Sequence, residues 1–341
     1  MSLTRFIKKT DVKDNIDKFF NKPSFSQGNI KIKAKPPKTY NREDYMLVGT
    51  AFDYLFRFYL KSKYKDKAEN SSWVAHNSLF LLSTEISNVH IHDANSFLEE
   101  MGIVLPDMKG FEEIPGVENL DGLIHWGNIE HDKINFDNVI KYITIDGKLE
   151  CSPIIEKRFR KTFSSILNAE KVYNQYIEDG KMIEEVIEAV IDLAKIDDYY
   201  RGRGFNKTLG EYKEEYIEDL KNLYSVIPKQ NNSVEKVFLN PTFGEASRLV
   251  NGADADIIID DILIDVKTTK NLNFTARHWR QLVGYLTLID FQNKFTINKT
   301  GIYFSRHGYF YTFSADKIYN ADKYEQFKKW FVEKAKSSFK H

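Results

Sequence analysis

An acidic hairpin constrains the fold of this chain more than any other feature of its sequence. The stretch GADADIIIDDILIDVKTTK, residues 252–270, places aspartates on both sides of isoleucine-rich runs. A two-residue turn at Asp260-Asp261 would join two strands, because aspartate is common at turn positions. That turn sets Asp256 directly opposite Asp265. The sequence therefore predicts an antiparallel hairpin whose turn fixes its register.

Side-chain alternation along this hairpin separates the charged residues from most of the apolar ones. One face carries Asp254, Asp256, Asp265 and Lys267. The other, apolar face carries Ile257, Ile259, Ile262, Ile264 and Val266. On the charged face, Asp254 would lie opposite Lys267. Neighbouring carboxylates destabilise a fold unless a hard cation binds between them, so the hairpin predicts a metal site.

The D/E-x-K triplet within the hairpin is a weak signal by itself. The same pattern begins at Asp11, Asp107, Asp146, Asp179, Glu211 and Asp219. Only the copy at Asp265 lies on an apolar strand with an acidic partner strand. An ordinary solvent-facing hairpin is the alternative, and the paired geometry favours the metal site over it. A metal beside Lys267 would suit phosphate chemistry, with the lysine contacting a phosphate or the attacking water.

A helix predicted after the hairpin, FTARHWRQLVGYLTLID, adds polar side chains to the same region. Gln281 and Tyr285 are four residues apart and share one helix face, and Arg277 lies a turn earlier. Such pairs occur on ordinary helices too. They are informative here because the preceding strand ends in D-V-K.

The combined pattern, an aspartate and D-x-K on a hairpin followed by Q-x-x-x-Y on a helix, resembles the PD-(D/E)XK nuclease superfamily. The chain is most similar to the RecB-type and phage lambda-type exonuclease branch, over residues 235–315 and the helix near Gly49. This resemblance implies a restriction-endonuclease-like core and a bound Mg²⁺ or Mn²⁺. The implied catalytic residues are Asp256, Asp265 and Lys267. The implied metal ligands are Asp256 (or its neighbour Asp254) and Asp265, and the implied substrate-binding residues are Gln281, Tyr285 and Arg277.

RecB-type members also carry G-x-x-x-H, whose histidine binds the metal. The counterpart here is GTAFD, with Asp53 at the histidine position, which implies a further metal ligand. An ordinary ion pair between Asp53 and Arg57 is the alternative. Glu245, near the strand before the hairpin, is a second candidate ligand. Some members hold an iron–sulfur cluster on four cysteines, but this chain has only Cys151, so no such cluster is expected.

The order of elements predicts an α/β protein, a mixed central sheet flanked by helices, with a large helical insertion. The predicted parts are a polar N-terminal arm (1–40), a core (41–60 with 235–315), a mainly helical insertion (61–234) and a C-terminal helix (316–341). The arm ends in KIKAKPPK, whose proline pair favours extended chain. It is interpreted as a solvated tail or, alternatively, as a phosphate-contacting arm.

Other motifs give weaker signals. VHIHD, with His90, His92 and Asp93, would form a metal site only on a strand, and its surroundings predict helix. RFRKTF and YYRGRGF mix basic and aromatic residues, as nucleic-acid surfaces do. No Walker sequence and no G-x-S-x-G occurs, so neither an ATP motor nor that class of hydrolase is expected.

Composition narrows the function further. Lys+Arg and Asp+Glu both number 49, so a nucleic-acid enzyme of this composition would need a locally basic groove. The chain lacks a signal-peptide core and an 18-residue apolar run, which predicts a cytoplasmic protein without a membrane partner. We therefore expect a Mg²⁺- or Mn²⁺-dependent, exonuclease-like deoxyribonuclease acting on DNA in repair, recombination or defence. The alternatives are a catalytically silent DNA-binding or interaction module and a structure-specific or RNA-directed endonuclease.

Overall fold

The computed structural model describes residues 3–70, 73–86, 153–229 and 233–338 of the 341-residue chain. The chain forms two compact units. The first, called the sheet unit, comprises residues 1–71 and 218–341, and the second, called the helical unit, comprises residues 72–217. Within the described ranges, no helix combines the length and hydropathy that a membrane crossing requires.

The sheet unit is built around a six-stranded mixed sheet. Its strands lie side by side in chain order: β1 (Ala68–Asn70), β2 (Val237–Leu239), β3 (Ile257–Ile259), β4 (Ile262–Lys267), β5 (Lys299–Phe304) and β6 (Tyr309–Ser314). The β1–β2 and β4–β5 pairs are parallel, and the other three pairs are antiparallel. The predicted α/β class with a mixed, helix-flanked sheet is therefore confirmed.

Helices account for most of the remaining described residues. In chain order they are α1 (Leu3–Phe6), α2 (Thr10–Phe19), α3 (Arg42–Tyr64), α4 (Val74–Ile86), α5 (Pro153–Asp179), α6 (Glu184–Tyr200), α7 (Glu214–Ser225), α8 (Glu245–Leu249), α9 (Ala276–Gln292), α10 (Asp316–Tyr319) and α11 (Tyr324–Ser338). Helices α4, α5 and α6 belong to the helical unit, and α7 crosses the boundary between the units.

The register of the β3–β4 hairpin is the predicted one. Ile259 pairs with Ile262, and the turn falls at Asp260-Asp261. Asp260 adopts a left-handed φ of 51°, which aspartate tolerates better than most residues. Its carboxylate also accepts a hydrogen bond of 2.8 Å from the backbone N–H of Glu235. The turn is therefore held by its own side chain as well as by strand pairing.

Both faces of this hairpin are buried. Ile258 and Leu263 are fully buried in a core cluster that includes residues of α9 and α11. On the opposite face, Ile257 and Ile264 are also buried. Because side chains alternate along β4, Asp265 shares its face with Leu263. The acids therefore lie on the same face of the sheet as Ile258 and Leu263, which is buried in the core and not exposed to solvent.

Helix α3 covers the other face of the sheet. Asn41 caps it: its side chain accepts from the N–H of Asp44 at 3.0 Å, and the Asp44 carboxylate accepts from the N–H of Asn41 at 2.8 Å. The Phe56 ring packs on Tyr303 of β5, with centroids 4.8 Å apart. This contact fixes α3 against the sheet and so places its residue Asp53.

The prediction of a polar arm over residues 1–40 is wrong for its first half, which forms α1 and α2. The Phe6 ring contacts Phe331 of α11 edge-on, with centroids 5.1 Å apart. Leu3 packs so closely on Gly284 of α9 that a Cβ there would lie 2.9 Å from its side chain. Further residues of this segment are buried in the same core: Ile7, Val12, Ile16 and Phe20. These first residues are therefore part of the folded core.

The helical unit lies within residues 61–234, and the mainly helical insertion predicted there stays a prediction. It spans residues 72–217, and α4, α5 and α6 form its described part. The VHIHD motif, Cys151 and the strand predicted at VIKYITID lie outside the described residues.

The N-terminal packing predicts a large stability effect. Phe6→Ala should lower the free energy of unfolding by about 3–5 kcal/mol, because it leaves a cavity in the core. The matched control is Phe291→Ala, since that ring is 42% exposed and packs less. Its effect should stay below about 1 kcal/mol. Urea denaturation of both variants measures the difference, and equal small effects would show that α1 is dispensable for the fold.

Candidate active site

Asp265 and Lys267 form a tight ion pair at the end of β4. Oδ2 of Asp265 lies 2.6 Å from Nζ of Lys267. The Asp265 side chain is only 1% exposed, and within the described residues its Oδ1 has no hydrogen-bond partner. A buried carboxylate oxygen without a partner is costly. This oxygen is therefore available to a ligand that the polypeptide itself does not supply.

Asp256 stands beside this pair, at the start of β3. Its Oδ2 accepts a 2.6 Å hydrogen bond from the backbone N–H of Val266, next to Asp265. The side chain therefore takes an N–H that the short strand β3 leaves unpaired. Burial, the charge of Asp265 and the charge of Asp53 raise the pKa of Asp256 to about 8. Burial is the largest of these causes, and the contributions of Asp265 and Asp53 indicate that the three carboxylates lie near one another.

The predicted pairing of Asp254 with Lys267 is wrong. The β3–β4 ladder ends at Ile257, and the chain before it turns towards the segment that follows β2. There Asp254 forms an isolated antiparallel bridge with Thr242. The N–H of Asn240 donates to the carbonyl of Asp256 at 2.9 Å in the same region. Asp254 is exposed, and Asp256 is the aspartate placed beside Asp265.

Asp53 forms the ion pair with Arg57 that was the alternative interpretation of the GTAFD motif, and its role as a metal ligand stays a prediction. Its Oδ2 accepts a 2.8 Å hydrogen bond from Arg57, one turn further along α3. Its Oδ1 is buried and has no hydrogen-bond partner within the described residues. The charge of Asp53 also raises the pKa of both Asp256 and Asp265. Asp53 is thus an ion-pair partner of Arg57 and a third carboxylate near the other two.

The pKa shifts define the charge state of the site. Burial raises the pKa of Asp265, although the nearby Lys267 ammonium opposes this shift. For Lys267, burial lowers the pKa, but the charges of Asp265 and Asp256 outweigh burial, so the net shift is upward. Lys267 is therefore a stable ammonium at neutral pH. A lysine acting as a general base needs a lowered pKa, so Lys267 is suited to charge stabilisation instead.

Helix α9 places Gln281 and Tyr285 beside the acids. Nε2 of Gln281 donates to the Tyr285 hydroxyl at 2.9 Å, and both side chains are largely buried. Burial, followed by the charges of Asp256 and Asp265, raises the pKa of Tyr285 well above its usual value. Arg277, in the first turn of α9, is exposed, and its charge lowers the pKa of Asp265. The three predicted substrate-binding residues thus differ: Arg277 is accessible, and the Gln281–Tyr285 pair supports the site from within.

His278 lies at the edge of the site and was not predicted from the sequence. It forms a capping box with Thr275: its N–H donates to the threonine hydroxyl at 3.2 Å, and its Nδ1 accepts from the threonine N–H at 3.3 Å. Burial and the charges of Lys267 and Arg277 lower the pKa of His278 to about 4. The T-x-x-H spacing before an apolar helix was the available signal. His278 is thus a neutral residue that fixes the start of α9.

Glu245 does not belong to this site. It begins α8, and its side chain is 79% exposed. It pairs with Arg248 at 2.8 Å. Glu245 therefore has an ordinary surface ion-pair partner.

The two basic and aromatic motifs meet in the helical unit. RFRKTF lies on α5, and YYRGRGF covers the end of α6 and the following loop. The guanidinium of Arg158 lies 5.4 Å from the centroid of the Phe205 ring. Arg201 pairs with Asp197 at 3.0 Å, so its charge is already matched locally. Contact between each motif and DNA remains a prediction.

Asp256 and Asp265 form a pair of carboxylates with Asp53 nearby, but the three do not make a complete set of metal ligands. Among the described residues, no group of three or more His, Cys, Asp or Glu side chains forms a ready-made metal site. Asp256 and Asp265 still suit Mg²⁺, which usually keeps several waters and takes only one or two protein carboxylates. The donors therefore fit a hydrated hard cation.

The raised pKa of Asp256 predicts the pH dependence of stability. The unfolded chain loses this proton near the ordinary pKa of 3.8, but the folded protein keeps it until about 8. Between these values the folded state binds more protons, so its stability falls as pH rises. His278 has the opposite effect, but only below its ordinary pKa of 6.5.

Stability in EDTA should therefore fall between pH 6.5 and 8, and this fall should be smaller in Asp256→Asn than in the parent. The exposed Asp254 provides the control, since Asp254→Asn should keep the parent slope. Urea titrations across this range measure it. A slope that Asp256→Asn leaves unchanged would mean that Asp256 is not protonated in the folded protein.

No family model, no curated protein and no solved structure matches this chain. The case for a function therefore depends on the geometry and chemistry of the residues themselves.

Proposed function

We propose that this chain is a Mg²⁺- or Mn²⁺-dependent nuclease that hydrolyses DNA phosphodiester bonds, with the exonuclease-like action that its motifs imply. The observation that carries the proposal is the Asp256–Asp265 pair beside the charged Lys267. The charge of Asp265 raises the pKa of Asp256, and the single Lys267 ammonium opposes this shift while it forms an ion pair with Asp265, so one cation faces two carboxylates. A cation and a phosphate would complete this arrangement.

The residues available to hold the cation are Asp256 and Asp265, with Asp53 next to them. All three offer carboxylate oxygens, the donors that hard cations prefer. In the part of the chain that the structure describes, the Oδ1 atoms of Asp265 and Asp53 have no hydrogen-bond partner, and this supports the assignment. When bound, such a cation lowers the pKa of a coordinated water and offsets charge on the reacting phosphate.

Lys267 would stabilise charge on the phosphate. Its pKa is raised, so it keeps its proton and presents an ammonium to phosphate oxygens or to the attacking water. A fixed ammonium in a poorly solvated site stabilises developing negative charge without reorganisation. The ion pair with Asp265 holds Nζ in place for this contact.

Helix α9 would orient the DNA strand next to these groups. The exposed Arg277 is placed to contact a phosphate, because a guanidinium binds phosphate through paired hydrogen bonds. Gln281 and Tyr285 are largely buried and bonded to each other. Their role would be to support the acids and to limit water access, with strand contact only at the accessible edge of the pair.

The first test compares two neighbouring aspartates. The parent should degrade linear DNA with Mg²⁺ or Mn²⁺ and stop when EDTA is added. Asp256→Asn should reduce the rate by about a hundredfold or more, because a metal ligand is lost. Asp254→Asn is the matched control and should retain most activity, since Asp254 is exposed and its backbone bridges Thr242 rather than β4.

A second readout of the same variants does not depend on activity. Saturating Mn²⁺ should raise the unfolding free energy of the parent by roughly 2.7 kcal/mol at a hundred times its Kd, and that of Asp256→Asn by much less. Cleavage in EDTA, or equal loss of activity in both variants, would contradict the assignment. Circular and end-labelled substrates separate exonuclease from endonuclease action.

Lys267 separates an enzyme from a silent binding module. Lys267→Met should slow cleavage by about 10²–10³-fold, the usual effect of losing one electrostatic contact in the transition state. DNA binding should change little, because phosphate contacts elsewhere supply most of the affinity. Lys299→Met is the control: it removes an exposed lysine paired in register with the first residue of β4, at the other end of the strand. Cleavage at the parent rate by Lys267→Met would overturn the role of this lysine.

A further inference from the structure

A basic segment lies beside the acidic site and carries charge without local compensation. Residues 21–40, called here the basic segment, contain five lysines and no acidic residue, in a chain with equal totals of 49. The exposed side chains of four of them, Lys31, Lys33, Lys35 and Lys38, have no ion-pair or hydrogen-bond partner within the described residues. The segment therefore concentrates positive charge in an otherwise neutral chain.

Side chains in the first part of this run alternate between the protein and the solvent. Ile32 is partly buried and Ala34 is fully buried, whereas Lys31, Lys33 and Lys35 are exposed. The apolar residues attach the segment to the sheet unit and turn the lysines outward. Such a row of outward ammonium groups matches a linear polyanion better than a single small anion.

A buried ion pair fixes this segment in place. The backbone N–H groups of Lys33 and Ala34 both donate to the carbonyl of Arg306, at 2.9 Å each. The Arg306 side chain is fully buried and forms two hydrogen bonds with Asp219, of 2.7 and 2.8 Å. Arg306 also lies two residues beyond Phe304 of β5, which pairs in register with Lys267. The row of lysines is thus anchored close to the end of β4 that carries the acids.

A polar cleft connects the basic segment with the loop that leaves the site. The cleft has a volume of about 540 Å³ and is lined by Gln27 and Ile32 from the segment and by Lys270 and Asn273 from the loop. This loop starts immediately after Lys267. Amide groups and a lysine in one cleft offer hydrogen bonds and charge to a nucleotide. A strand held by the segment would therefore pass the cleft on its way to the acids.

We propose that the basic segment binds the phosphate backbone of a single nucleic-acid strand and guides that strand into the acidic site. The proposal rests on the nuclease function above, and it assigns one phosphate contact each to Lys31, Lys33, Lys35 and Lys38. These contacts are electrostatic and independent of base sequence. They should therefore control the salt dependence of binding and leave the metal site unaffected.

The test measures binding of a fluorescein-labelled oligothymidylate in EDTA over a series of KCl concentrations. A variant with all four lysines changed to glutamine should bind more weakly at low salt. The slope of log K against log salt should become shallower by about 3, since each lost contact removes about 0.7 for a single strand. The matched control changes the exposed lysines Lys317, Lys323, Lys329 and Lys336 of α10, α11 and the turn between them to glutamine. It alters net charge equally and should keep nearly the parent slope.

Two further readouts separate this proposal from the nuclease assignment. Stabilisation by Mn²⁺ should be the same in the parent and in both variants, which also shows that they are folded. Equal slopes in the two variants, or a parent that does not bind the oligonucleotide, would overturn the guiding role. If the parent does not cleave DNA with Mg²⁺ or Mn²⁺, the nuclease function is overturned. If, in that case, the salt dependence of binding is still weaker only in the segment variant, strand binding by the segment is supported.

Discussion

The placing of the half-buried Asp256 beside the buried Asp265, near one end of β4, is the constraint around which the rest of the sheet unit is arranged. Asp265 is 1% exposed and has Lys267 as its counter-charge. A buried, incompletely paired carboxylate destabilises a fold, and apolar residues of similar size would often be more stable there. The surrounding core offsets this cost, since Ile258, Leu263 and the helices above them bury the same sheet face. Perturbed acids inside an otherwise apolar face are typical of functional sites, where stability is lost in exchange for reactivity.

Several local structures exist because of these acids. Strand β3 is only three residues long, so Asp256 lies just before it and its side chain accepts a hydrogen bond from the N–H of Val266. Helix α3 contributes Asp53, whose second oxygen is held by Arg57 so that the first remains available. The same negative charges keep Lys267 protonated despite its burial. Asp256, Asp265 and Lys267 therefore influence one another's pKa values, and a change at one of them alters the others.

Local patterns predicted most of the sheet unit, and tertiary contacts account for what was missed. The hairpin register and the cap of α3 depend on residues adjacent in sequence, so the turn at Asp260 and the box at Asn41 were predictable. The position of Asp254 was not, because its chain leaves β4 to pair with Thr242, a contact that side-chain alternation cannot indicate.

The N-terminal helices were missed although Val12, Ile16 and Phe20 recur at helical spacing, because lysines around them suggested a tail. Their burial depends on a groove between α9 and α11 that no local pattern reveals.

Under the proposed function, the distribution of charge explains how a chain without net charge could bind a polyanionic substrate. Equal numbers of acidic and basic residues give no long-range attraction to nucleic acid. In the sheet unit, however, acids gather at the end of β4 and lysines without acids occupy the basic segment. The buried Arg306–Asp219 pair holds the basic segment near that end of β4. The lysines that would attract a phosphate therefore lie close to the carboxylates that would repel it. Under the proposed function, a strand held by the lysines would bring its phosphate towards the carboxylates only when a cation screens them. This would couple substrate binding to metal binding without a change in the fold.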